Sequence, residues 1–140
     1  MLLEKVNIMV LCDDVIRNNR IVNDINRRRE EIASAVKRPG AVVSALSFAK
    51  TSDLNGTTDL DLENLDLVVL CCSGKVDQPY DLWVVRHRFP CASRISELDI
   101  DTEERAYHMI CCWGADECFS QSEDVVEVII RFFKSKMLIS

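Results

Sequence analysis

The chain predicts a three-layer α/β fold, a mostly parallel central sheet flanked by helices. Three observations carry that prediction. Short apolar runs (Val6–Leu11, broken only by Asn7, and Leu67–Cys72) read as strands buried on both faces. Between them lies a long segment with the periodicity of an amphipathic helix. A strongly apolar helix pattern then follows near residue 125. With 140 residues, 48% apolar and 29% charged, the chain matches one domain, 1–140, able to bury a real core.

The first strand, Val6 to Leu11, ends in Cys12-Asp13-Asp14, where either aspartate can cap the next helix. In that helix Ile21, Ile25, Ile32 and Val36 share one face, and Arg17, Arg20, Arg27, Arg28, Glu30 and Glu31 lie on the other; Pro39-Gly40 stops it. Ala41–Ala49 is a second strand, Asn55-Gly56 a turn, and Thr57–Asp66 an acidic segment. Leu67–Cys72 is a strand ended by Ser73-Gly74. Leu82–Val85 reads as a short strand ended by Arg86-His87-Arg88. Asp101–Ala106 is a short helix or an acidic loop, and Tyr107–Cys112 a further strand. Ser120-Gln121-Ser122-Glu123 matches a capping box and opens the last helix through Phe132 and Phe133. Those two rings are adjacent, so one helix face cannot bury both.

The net charge of −6 is uneven. Residues 1–38 hold eight basic and six acidic side chains, and the remainder holds nine and seventeen. Binding along a phosphate backbone needs a positive surplus, so nucleic acid is disfavoured as a partner. No apolar run is long enough to span a bilayer. The start, MLLEKVNIMVLCDD, lacks a basic leader and a small-residue cleavage site and is not read as a signal peptide. Seven cysteines is an odd number, and four fall in adjacent pairs that do not bridge on a strand. They point to reduced thiols in a cytoplasmic or nuclear protein, with most acting as small apolar fillers.

Ligands of parallel sheets bind beyond the carboxyl ends of the strands. The informative residues are therefore Cys12-Asp13-Asp14, Cys71 to Lys75, and Cys111 to Gly114. A phosphatase loop needs Cys, five residues and Arg, and neither Cys12–Arg17 nor Cys91–Arg94 has that spacing. His87 or His108 could activate a thiol only if the fold brings them together. A zinc site could draw on Cys91, Cys111, Cys112, Cys118, His87 and His108, but no C-x-x-C pair is present.

The acidic pair Asp13-Asp14 resembles the metal-binding acids of bacterial receiver domains. That family needs an acceptor aspartate at the end of its middle strand, where this chain reads LVVLCCSG, and no Lys-Pro follows Cys112. The resemblance implies a pseudo-receiver regulatory domain. A second resemblance is to small GTPases, over roughly the first 25 and last 30 residues. VLCDDVIRNNRIV lies over their phosphate loop, with Cys12, Asp14 and Arg17 at glycine positions and Asn18 at the lysine. WGADECFSQSEDVVEVIIRFF is similar to their last loop and helix, while the guanine-reading Asn-Lys-x-Asp pattern is absent. Glycines let backbone amides close on an anion, and two aspartates repel it. This resemblance implies a degenerate pseudo-GTPase, Rossmann-like without a working phosphate loop.

From the sequence the favoured function is that of a non-catalytic interaction module, a pseudo-GTPase-like subunit of a larger intracellular assembly. No catalytic residue, cofactor or metal is assigned. Its partners are expected to be other proteins, in a hetero-complex or homodimer, met through Arg17, Arg20, Arg27, Arg28, Phe132 and Phe133. The alternatives are a cysteine- or metal-dependent small enzyme, and the pseudo-receiver.

Overall fold

A computed structural model describes residues 4–38, 40–55, 60–71 and 78–139. The elements run β1 (Lys5–Leu11), α1 (Val15–Arg27), α2 (Arg29–Ala35), β2 (Val42–Phe48), a 3₁₀ turn (Thr51–Leu54), α3 (Leu60–Glu63), β3 (Leu67–Leu70), α4 (Gln78–Arg88), β4 (Ser93–Glu97), α5 (Glu103–Cys111), β5 (Glu117–Phe119) and α6 (Val125–Ile139). The five strands form one sheet in the order β2-β1-β3-β4-β5, and every pairing is parallel. The predicted three-layer α/β fold is the one observed.

The layers follow from which residues of each strand face which way. Val6, Ile8 and Val10 of β1, Leu67 and Val69 of β3, and Ile95 of β4 point to one side. There they meet Ile21, Ile25 and Ile32 of α1 and α2, and Val126, Ile129 and Phe133 of α6. The alternate residues Met9, Leu11, Val68 and Leu70 meet Leu62, Leu82, Val85 and Met109 of α3, α4 and α5. Each fully buried branched side chain contributes about 1.5–3 kcal/mol, so two such faces stabilise β1 and β3 as the centre of the molecule.

The helix read as continuous to Pro39 is divided at Arg28, whose backbone (φ −109°, ψ 26°) loosens one turn. The hydrogen bonds Arg28 N–H to Asp24 C=O and Ile32 N–H to Arg28 C=O continue on either side. Its guanidinium binds Glu31 on α2 and Glu127 on α6, the latter at 2.5 Å, which ties the break to the last helix. The helix ends earlier than Pro39, a residue outside those described. Lys37 adopts the left-handed region (φ 57°), and Arg38 and Lys37 N–H bond back to Ala33 and Ser34 C=O, closing a Schellman motif.

Two strand predictions are corrected. Leu82–Val85 lies inside α4, where Leu82 and Val85 face the core, and Tyr107–Cys112 belongs to α5 and its C-cap. Apolar runs this short cannot distinguish a strand from a buried helix turn. The sheet instead gains β4 and β5, whose sequences SRISE and ECF carry polar residues that hide the pattern. The capping box before α6 is half formed. Glu123 accepts from Ser120 N–H at 2.8 Å, but Asp124 is the cap, accepting from Val126 and Glu127 N–H at 3.0 and 3.1 Å.

Candidate functional site

With the order 2-1-3-4-5, the connection after β1 runs to one side, toward β2, and the connection after β3 to the other, toward β4, which puts the topological switch point at the carboxyl ends of β1 and β3. Cys12, Asp13 and Asp14 leave β1 there, Cys71 follows β3, and Glu97 ends β4. Asp14 caps α1 by accepting from Arg17 N–H at 3.1 Å. That cap aims the first turn of α1 across the switch point. Arg17 then reaches Glu97 with both terminal nitrogens, one of the contacts 2.7 Å long.

Glu97 is wholly buried. A carboxylate without water is costly unless paired, and a bidentate guanidinium is the partner that suits it. Sequence reasoning missed Glu97 altogether. The signal was the polar end of a short alternating segment after Pro90, masked by the false strand assigned to Tyr107–Cys112.

Cys12 and Cys71 lie side by side at the same edge. Leu11 pairs with Leu70, Cys71 N–H donates to Leu11 C=O at 3.0 Å, and both thiols face the α1–α6 side. The Cys71 thiol beside it lowers the Cys12 thiol to about 7, helped by the backbone at Asp14 and by the Arg17 charge against the opposing effect of burial and Asp13. Cys12 and burial push Cys71 strongly up. Both residues fill space in the core, as the sequence suggested, and they also meet.

Asn18, aligned with a phosphate-loop lysine in the GTPase resemblance, is buried and turned inward. Its amide donates to Cys12 C=O at 3.0 Å and Phe48 C=O at 3.1 Å, and its oxygen accepts from Ser47 Oγ at 2.6 Å. It fastens the ends of β1 and β2 and is not aimed at a ligand.

The residues predicted to meet partners are scattered. Arg17 is held by Glu97. Arg20 and Arg27 are exposed, the latter 3.0 Å from Asp24. Arg28 borders a cleft of about 720 Å³ between α2 and α6, together with Glu31, Ala35, Ile130 and Lys134. Phe133 is buried, while Phe132 is half-buried beside Ser93 and Lys136. Of the thiol–imidazole pairs considered, His108 Nδ1 lies 4.0 Å from Cys112 Sγ on exposed α5. Among the described residues no group of three or more His, Cys, Asp or Glu could hold a metal, and no helix is long and apolar enough to cross a membrane. Cys72 to Lys75 lie outside the described residues.

Comparison with solved structures gives the fold. The chain is similar to the receiver domain of the Francisella response regulator 1452, with a TM-score of 0.66 and 13% identity over 94% of this chain and 98% of that one. It is similar to the signal receiver domain of a DNA-binding response regulator from Colwellia psychrerythraea, with a TM-score of 0.64 and 12% identity over 96% and 99%. A Burkholderia pseudomallei response regulator bearing a phosphorylated aspartic acid and a calcium ion gives 0.64 and 13% over 96% and 71%. No family model and no curated protein matches the sequence. These neighbours overturn the pseudo-GTPase resemblance, and with it the reading as a pseudo-GTPase-like subunit. The scaffold is that of a receiver, a flavodoxin-like sheet with its first crossover to β2.

At the end of β3, where the receiver resemblance expects an acceptor aspartate, the chain reads Cys71-Cys72, of which Cys71 is among the described residues. The last strand is Glu117–Phe119, followed by Ser120-Gln121, so the Lys-Pro pattern is missing there too. The residues fit a magnesium ion poorly. Among the described residues Asp13 offers one buried oxygen without a hydrogen-bond partner, a donor that suits a hard cation. Asp14 is committed to its cap, and Cys71 remains a protonated thiol.

Proposed function

We propose that this chain is a regulatory domain on a receiver scaffold that takes no phosphoryl group and acts through contacts with other proteins. The observation that carries the reading is the buried Glu97–Arg17 pair beside Cys71. A thiol there cannot form an aspartyl phosphate. An incoming phosphoryl anion would face the Glu97 and Asp13 carboxylates, and among the described residues the nearby cation Arg17 is already neutralised by Glu97. Free thiols at Cys12, Cys71, Cys91, Cys111, Cys112 and Cys118 support a reducing compartment, cytoplasmic or nuclear. The exposed basic side of α1, Arg20 and Arg27, is the contact surface we assign to a protein partner.

The test is incubation of the purified chain with acetyl phosphate and Mg²⁺, followed by intact-mass measurement. The expected result is an unchanged mass, with no heat on titrating Mg²⁺ alone. A hydroxylamine-labile phosphoryl adduct of the acyl phosphate type on Asp13 or Asp14 would overturn the reading.

A further inference from the structure

We propose that Cys12 and Cys71 form an oxidisable dithiol that closes to a disulfide between the ends of β1 and β3 when a small hydroperoxide reaches it. The case is geometric. Neighbouring parallel strands run about 4.8 Å apart, within the 4.4–6.8 Å that a disulfide needs between its Cα atoms. The pairing of Leu11 with Leu70 puts Cys12 and Cys71 in register, and the same face of the sheet receives both side chains. The Cys71 N–H bond to Leu11 C=O at 3.0 Å holds the two strand ends together at this point. The other cysteines described are an exposed residue at Cys91, the exposed end of α5 at Cys111 and Cys112, and Cys118 on β5.

The surroundings of the two thiols assign the roles. Cys71 is pushed up by Cys12 and by burial, while Cys12 is drawn down by Cys71; Arg17 stands near both, Asp13 opposes ionisation of Cys12 and Glu97 that of Cys71. Cys12 is therefore the thiolate and Cys71 the thiol that keeps its proton. The Cys12 sulfur attacks one peroxide oxygen, the O–O bond breaks, and the departing hydroxide takes a proton as water, leaving a sulfenic acid. The Cys71 sulfur then attacks the Cys12 sulfur. An S–S bond forms, the S–O bond breaks, and hydroxide leaves with the Cys71 proton as a second water. Two thiols lose two electrons, and one peroxide becomes two waters. Both residues are only 2% exposed, so the oxidant must be as small as hydrogen peroxide. The proposal stands independently of whether the domain takes a phosphoryl group.

The experiment treats the reduced, folded chain with hydrogen peroxide, quenches it with acid, alkylates it under denaturing conditions and maps the peptides by mass spectrometry. The expected result is a Cys12–Cys71 linked peptide as the dominant cross-link, reversed by dithiothreitol and far less abundant when the chain is oxidised in urea. Cys71→Ser is expected to stop at a dimedone-reactive Cys12, and Cys12→Ser to leave Cys71 reduced. The proposal is overturned if Cys12 and Cys71 stay alkylatable while Cys91, Cys111 or Cys112 oxidise. Equal yield of the link from folded and unfolded chain overturns it too. Should a serine variant fail to fold by circular dichroism, the wild-type comparison of folded and unfolded chain decides alone.

Discussion

Arg17 is the residue whose setting most changes its meaning. In the sequence it is one of a row of arginines on a polar helix face, and nothing in the spacing distinguishes it from Arg20. In the fold it is the counter-ion of a wholly buried carboxylate. Removing one partner of such a pair strands the other, at about 3 kcal/mol. Arg17→Ala is expected to lower the urea-unfolding free energy by about that amount, and Arg17→Met with Glu97→Leu to recover most of it. A loss below 1 kcal/mol in the single variant would show that water reaches Glu97. The thiol pair gives a second test. The folded pair releases its first proton near pH 7, against about 9 for free thiols, and holds its second far longer. Between pH 7 and 9 the native chain therefore binds fewer protons than the unfolded one, so stability rises with pH. Above about 9 the unfolded chain loses the proton that Cys71 keeps, and the sign reverses. The rise between pH 7 and 9 is expected to vanish from the urea midpoint of Cys12→Ser.

At the scale of elements, the amphipathic pattern of α1 and α2 and the apolar runs of β1 and β3 were legible, because both faces of a central strand must be apolar. The short strands β4 and β5 were not. Arg94 in β4 is spent on the carbonyls of Ala92 and Gly114, so a polar residue sits in the sheet without exposing the strand. Half of the candidate site could therefore be named from sequence, the Cys12–Asp14 turn and Cys71. Glu97 depended on a strand that tertiary contacts define. The end of α2 supplies one prediction. Lys37 holds a left-handed conformation that costs a side-chain-bearing residue about 1 kcal/mol, and Lys37→Gly is expected to stabilise the domain by about 0.5–1 kcal/mol in urea unfolding. The paired phenylalanines of α6 supply another. Phe133→Ala should cost about 3–4 kcal/mol, because the ring sits in the core, and Phe132→Ala much less.

For the whole molecule, the parallel order places β1 and β3 between two hydrophobic layers and leaves β2 and β5 at the edges. Amide hydrogen exchange measures that gradient directly. Protection is expected to be greatest in Val6–Leu11 and Leu67–Leu70, lower in Glu117–Phe119, and lost together in the centre at the free energy of global unfolding. Fast exchange in β1 would mean that one of the two layers is loosely held.

One layer closes over β1 only when Val126, Ile129 and Phe133 of α6 arrive, and Arg28 at the break in the first helix waits for Glu127 on that same element. On a ribosome the first strand is made long before its cover. A nascent chain stopped short of residue 125 therefore carries a bare apolar stripe, a substrate for chaperones that the completed domain withdraws.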